Sequence, residues 1–235
     1  MYAGEESASE SADIWHANEL HCTWLGLSDY AVVRDLQRLL VSDLLHNPDA
    51  PQCILFCEHE PVITLGNRLG SEQGRELERR TGLPTVKTQR GGDAMYHGPG
   101  QLVIYPVINL KRRALGVRSF VKAGLEAMAE VSREQNIPAE ARLDPPGVWL
   151  GRTSCKIGFA GVKITKGISD HGFALNLHPN LDIFTRFTCC GLPDAEITSW
   201  QHCTPKAPEF SLKSVAKRLS FVFSNQIAEL SGRRT

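Results

Sequence analysis

Apolar residues recur at helical spacing in three stretches. From Tyr30 to Leu45, the positions Tyr30, Val33, Leu36 or Gln37, Leu40 and Leu44 share a face, and Ser28 or Asp29 stands where an N-cap belongs. From Val117 to Val131, the residues Val117, Phe120, Val121, Gly124, Leu125, Met128 and Val131 keep the i, i+3, i+4, i+7 rhythm, and Asn136-Ile137-Pro138 stops it. From Leu212 to Leu230, Leu212, Val215, Leu219, Val222 and Ile227 repeat it, with Ser211 as N-cap. Short β-rich runs bounded by turn residues predict strands over 53–57, 61–66, 102–107, 147–150, 156–160 and 172–177. Strands outnumber helices without strict alternation, which predicts an α+β fold with a mixed central sheet and flanking helices. No repeat or linker divides the chain. The expected organisation is a single domain over 14–235, preceded by a disordered acidic tail over 1–13.

Composition narrows the function classes. The 235 residues carry 26 Lys+Arg against 26 Asp+Glu, a net charge of zero. That balance argues against gripping nucleic acid or an anionic membrane. An apolar share of 42% is enough to build a core. No apolar run approaches the roughly 18–20 residues that cross a bilayer. The N-terminal segment lacks a basic, an apolar and an Arg-rich region, so the expected location is the cytoplasm. The seven cysteines are Cys22, Cys53, Cys57, Cys155, Cys189, Cys190 and Cys203. Their odd number and the lack of an export signal predict free thiols in a reducing compartment. No C-x-x-C pair is present, so no metal site is expected.

Four segments carry candidate chemistry. Arg90 to Gln101 holds four glycines and a proline, which predicts a loop whose backbone approaches a ligand closely. His97 within it reads equally as a structural or a functional histidine. Lys156 opens the run Lys156-Ile-Gly-Phe-Ala-Gly161; taken alone, it reads as a lysine snorkelling from a strand edge. His171, ahead of a glycine and a strand, is open between a ligand, a base and a turn residue. Cys190 precedes Gly191-Leu-Pro, a tight turn that suits a nucleophile beside backbone N–H donors, or a buried hydrophobic cysteine.

In this order the segments resemble the lipoyl(octanoyl) transferase family. The resemblance runs from about Trp24 to Trp200. It rests on Glu58-His59-Glu-Pro61-Val-Ile-Thr-Leu-Gly66, Arg90-Gly-Gly, Tyr96-His-Gly-Pro-Gly-Gln101, Pro146-Gly-Val-Trp149, Lys156-Ile-Gly, His171-Gly-Phe-Ala-Leu-Asn176, Cys190-Gly191 and Thr198-Ser199. It implies the α+β fold of lipoate and biotin protein ligases, and Cys190 and Lys156 as the catalytic pair. It also implies acyl-substrate contacts at Arg90, Gly91, Gly92, Asp93, Ala94, Met95, Tyr96 and His97, at Phe159, Ala160 and Gly161, and at Gly172, Phe173 and Ala174. Cys189 stands where the family usually has Pro, and Ser169-Asp170 stand where it often has an apolar residue, which predicts a differing acyl pocket there.

The implied reaction moves an octanoyl group from octanoyl-acyl carrier protein to a lysine of a lipoyl domain through a Cys190 thioester. The implied acceptors are the lipoyl domains of 2-oxo-acid dehydrogenase complexes and the glycine cleavage H protein. The donor is already activated, so no cofactor and no ATP are expected. Lys156 is the first candidate base, and His97 or His171 the second. Met95, Phe159, Phe173 and Leu175 are the expected tunnel walls. Competing readings are an ATP-dependent lipoate or biotin protein ligase, a non-catalytic lipoyl-domain binding protein, and a cysteine hydrolase.

Overall fold

The computed structural model describes residues 13–189, 196–204 and 211–232. The main sheet runs in the order β1 (Asp13–Ala17), β2 (Leu20–Ser28), β3 (Cys53–His59), β7 (Gln101–Val107), β11 (Ile168–Asn176), β10 (Cys155–Thr165), β9 (Pro146–Leu150), β8 (Ala139–Leu143). A two-residue strand, β12 (Glu196–Ile197), also pairs with β10. The β2–β3 and β10–β12 pairs are parallel and the others antiparallel, so the sheet is mixed, as expected.

Its central strands read as continuous apolar runs because both faces are covered. Ile54, Phe56, Leu102, Ile104, Phe173 and Leu175 belong to one core, with helices α3 (Val117–Glu134) and α5 (Leu212–Gly232). Leu55, Cys57, Val103 and Tyr105 belong to another, with α1 (Tyr30–His46). Gly124 of α3 permits the close approach of helix and sheet, since a Cβ there would lie 2.3 Å from the Phe173 ring. Asp29 caps α1, accepting from the N–H groups of Ala31 and Val32 at 2.7 and 3.2 Å. Ser211 caps α5 through Ser214 N–H at 3.3 Å.

A second sheet, β5 (Thr85–Lys87), β4 (Val62–Leu65), β6 (Ala94–His97), has its own apolar cluster with Phe159, Phe184 and Phe187. A helix absent from the sequence reading, α2 (Ser71–Thr81), links β4 to β5. β6 corrects the loop expected over Arg90 to Gln101: Ala94–His97 form a fully buried strand. A short helix, α4 (Trp200–Cys203), follows β12 and is capped by Ser199. Among the described residues, no helix is long and apolar enough to cross a membrane.

Candidate active site

The two sheets meet around a narrow cavity of about 40 Å3. Met95, Val103, Phe159, Ala160, Phe173 and Ala174 supply the apolar wall, with Gly161 and Gly172. Tyr30, Thr64, Arg90, His97, Tyr105 and His171 make the rest of the lining polar.

Of the residues implied by resemblance, Arg90, Met95, His97, Phe159, Ala160, Gly161, Gly172, Phe173 and Ala174 are brought together here. Gly91, Gly92, Asp93, Ala94 and Tyr96 are not on the lining. Tyr96 instead packs edge-on against Phe184, with ring centroids 5.4 Å apart. Leu175, expected in the tunnel wall, sits in the core under α3 and α5. Ser169 and Asp170 do not line the cavity either. Ser169 ties strand ends together, donating to Pro106 O at 2.6 Å and accepting from Ile108 N–H at 2.9 Å.

The sequence reading missed Tyr30, Thr64, Val103 and Tyr105. Each lies in an element that was read as structural, and only the tertiary fold brings them to the cavity. A threonine and a tyrosine inside otherwise apolar strands were the available signal.

Arg90 is 7% exposed, and its guanidinium clamps the second sheet. It donates to the main-chain oxygens of Gly91, Thr64 and Asp93 at 2.8–2.9 Å and to Thr64 Oγ1 at 2.9 Å. From Thr64 a chain of hydrogen bonds crosses the molecule. Thr64 Oγ1 lies 3.3 Å from His97 Nε2, and His97 Nδ1 lies 2.7 Å from Gln101 Oε1. Gln101 Nε2 donates to Tyr96 O and to Asn176 Oδ1, which makes Oε1 the acceptor and places the His97 proton on Nδ1. Asn176 Nδ2 then donates to Thr198 O at 3.0 Å, and Thr198 N–H donates to Lys156 O at 3.0 Å. The cavity lining and the strand carrying Lys156 are thus wired together.

Burial holds all three histidines here below the ordinary range. His97 is pushed well down, first by desolvation and then by His59 and Arg90. His59 is lowered by desolvation, against the pull of Ser28 O. His171 is lowered to about 4 by burial, although Asp170 opposes the shift. His171 also has a left-handed backbone, φ 57°. Its N–H is held by Asp170 Oδ1 at 2.7 Å and Gln37 Oε1 at 3.1 Å. It lines the cavity together with Gly172, Phe173 and Ala174.

Lys156 corrects the expectation of a surface lysine. It is 2% exposed. Its strand is flanked on both sides, with Trp149 opposite on β9 and Ile197 on β12. Its Nζ donates to Pro146 O at 2.8 Å and lies 5.0 and 5.2 Å from the ring centroids of Trp149 and Phe159. Gly147 completes this seat, because a Cβ there would stand 2.3 Å from Lys156 Cε. Among the described residues, Trp149 Nε1 is buried without a hydrogen-bond partner. Such an orphan donor costs about 1–3 kcal/mol.

Cys190 lies outside the described residues. Cys189 before it is buried, its Sγ 3.5 Å from Met95 Sδ on the cavity wall.

The lipoyl protein ligase A/B catalytic domain profile matches residues 29–224. An octanoyltransferase from Desulfotalea psychrophila is 32% identical over 210 residues, covering 88% of this chain and 93% of that protein. Among solved structures, a bipartite lipoate protein ligase from Thermoplasma acidophilum superposes with TM-score 0.61 at 16% identity, covering 88% of this chain and 89% of the other. Biotin protein ligase from Aquifex aeolicus gives TM-score 0.51 at 14% identity, covering 90% and 71%. The structural likenesses establish the shared fold, and the sequence match places the protein: this chain belongs to the lipoyl protein ligase A/B catalytic domain family.

Proposed function

We propose that this acyltransferase moves an octanoyl group from octanoyl-acyl carrier protein to a lysine of a lipoyl domain, through a thioester on Cys190. The acceptors are the lipoyl domains of 2-oxo-acid dehydrogenase complexes and the glycine cleavage H protein. The observation that carries this reading is Lys156, a buried amine held against Phe159, whose ring also walls the cavity. An acyl chain in that cavity, with its carbonyl end toward Phe159, brings its reacting carbon near Lys156.

Cys190 is assigned as nucleophile by its motif. An unperturbed thiol of pKa about 8.5 is roughly 3% thiolate at neutral pH. Lowering its pKa by about two units raises that fraction about 25-fold, but it costs nucleophilicity roughly 6- to 10-fold. A nearby charge alone therefore gains only a few-fold. Proton transfer is the larger contribution, typically 10²–10⁴-fold. The acceptor amine must also lose a proton. The depressed basicity of His97 and His171 makes each a poor proton acceptor at neutral pH, which favours Lys156 in that role. The first half exchanges one thioester for another, and the second makes an amide from a thioester and runs downhill without ATP.

The test is transfer from octanoyl-acyl carrier protein to an unmodified lipoyl domain without ATP, in wild type and Lys156→Arg. Arginine keeps the charge and cannot shuttle a proton. Wild type transfers, and the variant loses at least about 100-fold in kcat. Modification appearing only with free octanoate and ATP would make the protein a ligase.

A further inference from the structure

The cavity runs from an apolar end to a polar one. Phe159 faces Ala174 across the β10–β11 register, and further along Val162 faces His171. At about 3.3 Å per residue, these two levels stand about 10 Å apart. An extended eight-carbon acyl chain is about 9 Å long. With its carbonyl end toward Phe159, its methyl tip arrives at the level of His171. Tyr30 lines this end too, because α1 packs on β11 here: Gln37 Oε1 accepts from His171 N–H, and the Tyr30 hydroxyl feels the charge of Asp170. Other polar groups of the lining are already paired. The Tyr105 hydroxyl donates to His59 Nε2 at 2.8 Å, Thr64 pairs with His97, and Arg90 holds main-chain oxygens. Among the described residues, nothing hydrogen-bonds the Tyr30 hydroxyl or the His171 ring, and both residues face the cavity. The Tyr30 ring is fixed by stacking on His97, centroids 6.4 Å apart, and by His59 edge-on at 5.3 Å. His171 is fixed by its left-handed backbone and the two acceptors on its N–H.

We propose that Tyr30 and His171 form a polar stop that sets the length of the transferred acyl chain. The proposal rests on the acyl-transfer reading above. Each further methylene buried in an apolar site improves binding about 4-fold. A ninth carbon here has no such gain. It lies against the hydroxyl and the imidazole, takes both out of water and pairs with neither, which costs more than burying the methylene contributes. A shorter chain forgoes burial against Phe159 and Phe173. Eight carbons are therefore the optimum, and polarity rather than a steric wall sets it. The same argument admits a longer chain with a polar tip. A hydroxyl on the eighth carbon occupies the ninth position and pairs with the Tyr30 hydroxyl or the His171 ring.

The experiment compares octanoyl-, nonanoyl- and 8-hydroxyoctanoyl-acyl carrier protein as donors, without ATP, for wild type and Tyr30→Phe. The last two donors have chains of equal length and differ only in CH3 against OH at the tip. The wild type is expected to prefer the hydroxylated donor over nonanoyl by at least about 10-fold in kcat/KM. Tyr30→Phe removes one of the two polar groups. It lowers that ratio at least about 5-fold and raises nonanoyl relative to octanoyl by about the 4-fold that one buried methylene supplies. General damage to the fold would not move two donors of equal length in opposite directions. A wild-type ratio near one, with both donors equally poor, would mean a steric wall and overturn the proposal. A ratio that Tyr30→Phe leaves unchanged would overturn it too. In either case, octanoyl transfer by the wild type leaves the underlying reading in place. If the wild type transfers no acyl group from any of the three donors without ATP, that reading falls and the polar stop with it.

Discussion

Gly147→Ala isolates the position of one amine. The added Cβ would lie 2.3 Å from Lys156 Cε, 2.9 Å from Nζ and 2.9 Å from Gly158 O. Carbon atoms pack at about 3.5–4.0 Å, so Lys156 must retreat by more than about 1 Å. The nearest obstacle is a side chain and Gly147 is not among the positive-φ glycines, so φ adds no strain, but Gly158 O is backbone and must also give by a few tenths of an ångström. Overpacking of this kind costs about 1–3 kcal/mol, and for a chain of this size about 2–4 °C in Tm per kcal/mol. The protein therefore folds. A 1 Å displacement of a reacting group costs about 100-fold in rate. The expected result is kcat lowered about 100-fold, with KM for octanoyl-acyl carrier protein little changed and a cooperative thermal transition retained. Folded Gly147→Ala with kcat within about 3-fold of wild type would refute the claim that Lys156 must sit in this seat.

Other parts of the structure give independent tests. Ala174→Leu fills the apolar wall, so the preference for octanoyl over hexanoyl donors falls by at least about 10-fold; an unchanged ratio in competition assays removes Ala174 from the acyl site. Asp29→Ala removes both N-cap hydrogen bonds of α1 and costs about 1 kcal/mol in denaturant unfolding. Acidification destabilises the fold. His171 takes up its proton in the unfolded chain near 6.5 but in the folded protein only near 4, so its contribution is whole above about 6.5 and shrinks as pH falls toward 4. That window is worth up to about 3 kcal/mol, and the shifts of His59 and His97 act in the same direction. Unfolding midpoints in urea that rise between pH 7 and pH 5 would contradict neutral, buried histidines.

Helices α1, α3 and α5 were legible because their buried faces repeat at helical spacing. Helix α2 was not: in Ser71–Thr81 the buried positions are Gly74, Leu77 and Thr81, so the stripe has the right spacing but only one apolar member. Strand β8, Ala-Glu-Ala-Arg-Leu, has helix-forming composition and is a strand because β9 pairs with it. Compact motifs marked Lys156 and His97 as candidates, while the burial of both emerged only with the fold. It was hidden where a side chain takes its meaning from a distant strand. Nothing near Lys156 in sequence announces burial; its seat is made by Pro146, Gly147 and Trp149 across the sheet. Tyr30, Thr64 and Tyr105 reach the cavity from three elements separated in the chain.

The most direct test of the central claim is intact-protein mass after brief incubation with octanoyl-acyl carrier protein and no ATP, for wild type, Cys189→Ser and Cys190→Ser. The account predicts one octanoyl adduct on wild type and Cys189→Ser, absent from Cys190→Ser, and discharged when a lipoyl domain is added. An adduct that persists in Cys190→Ser, or no adduct on any form while the lipoyl domain is still modified, would contradict it.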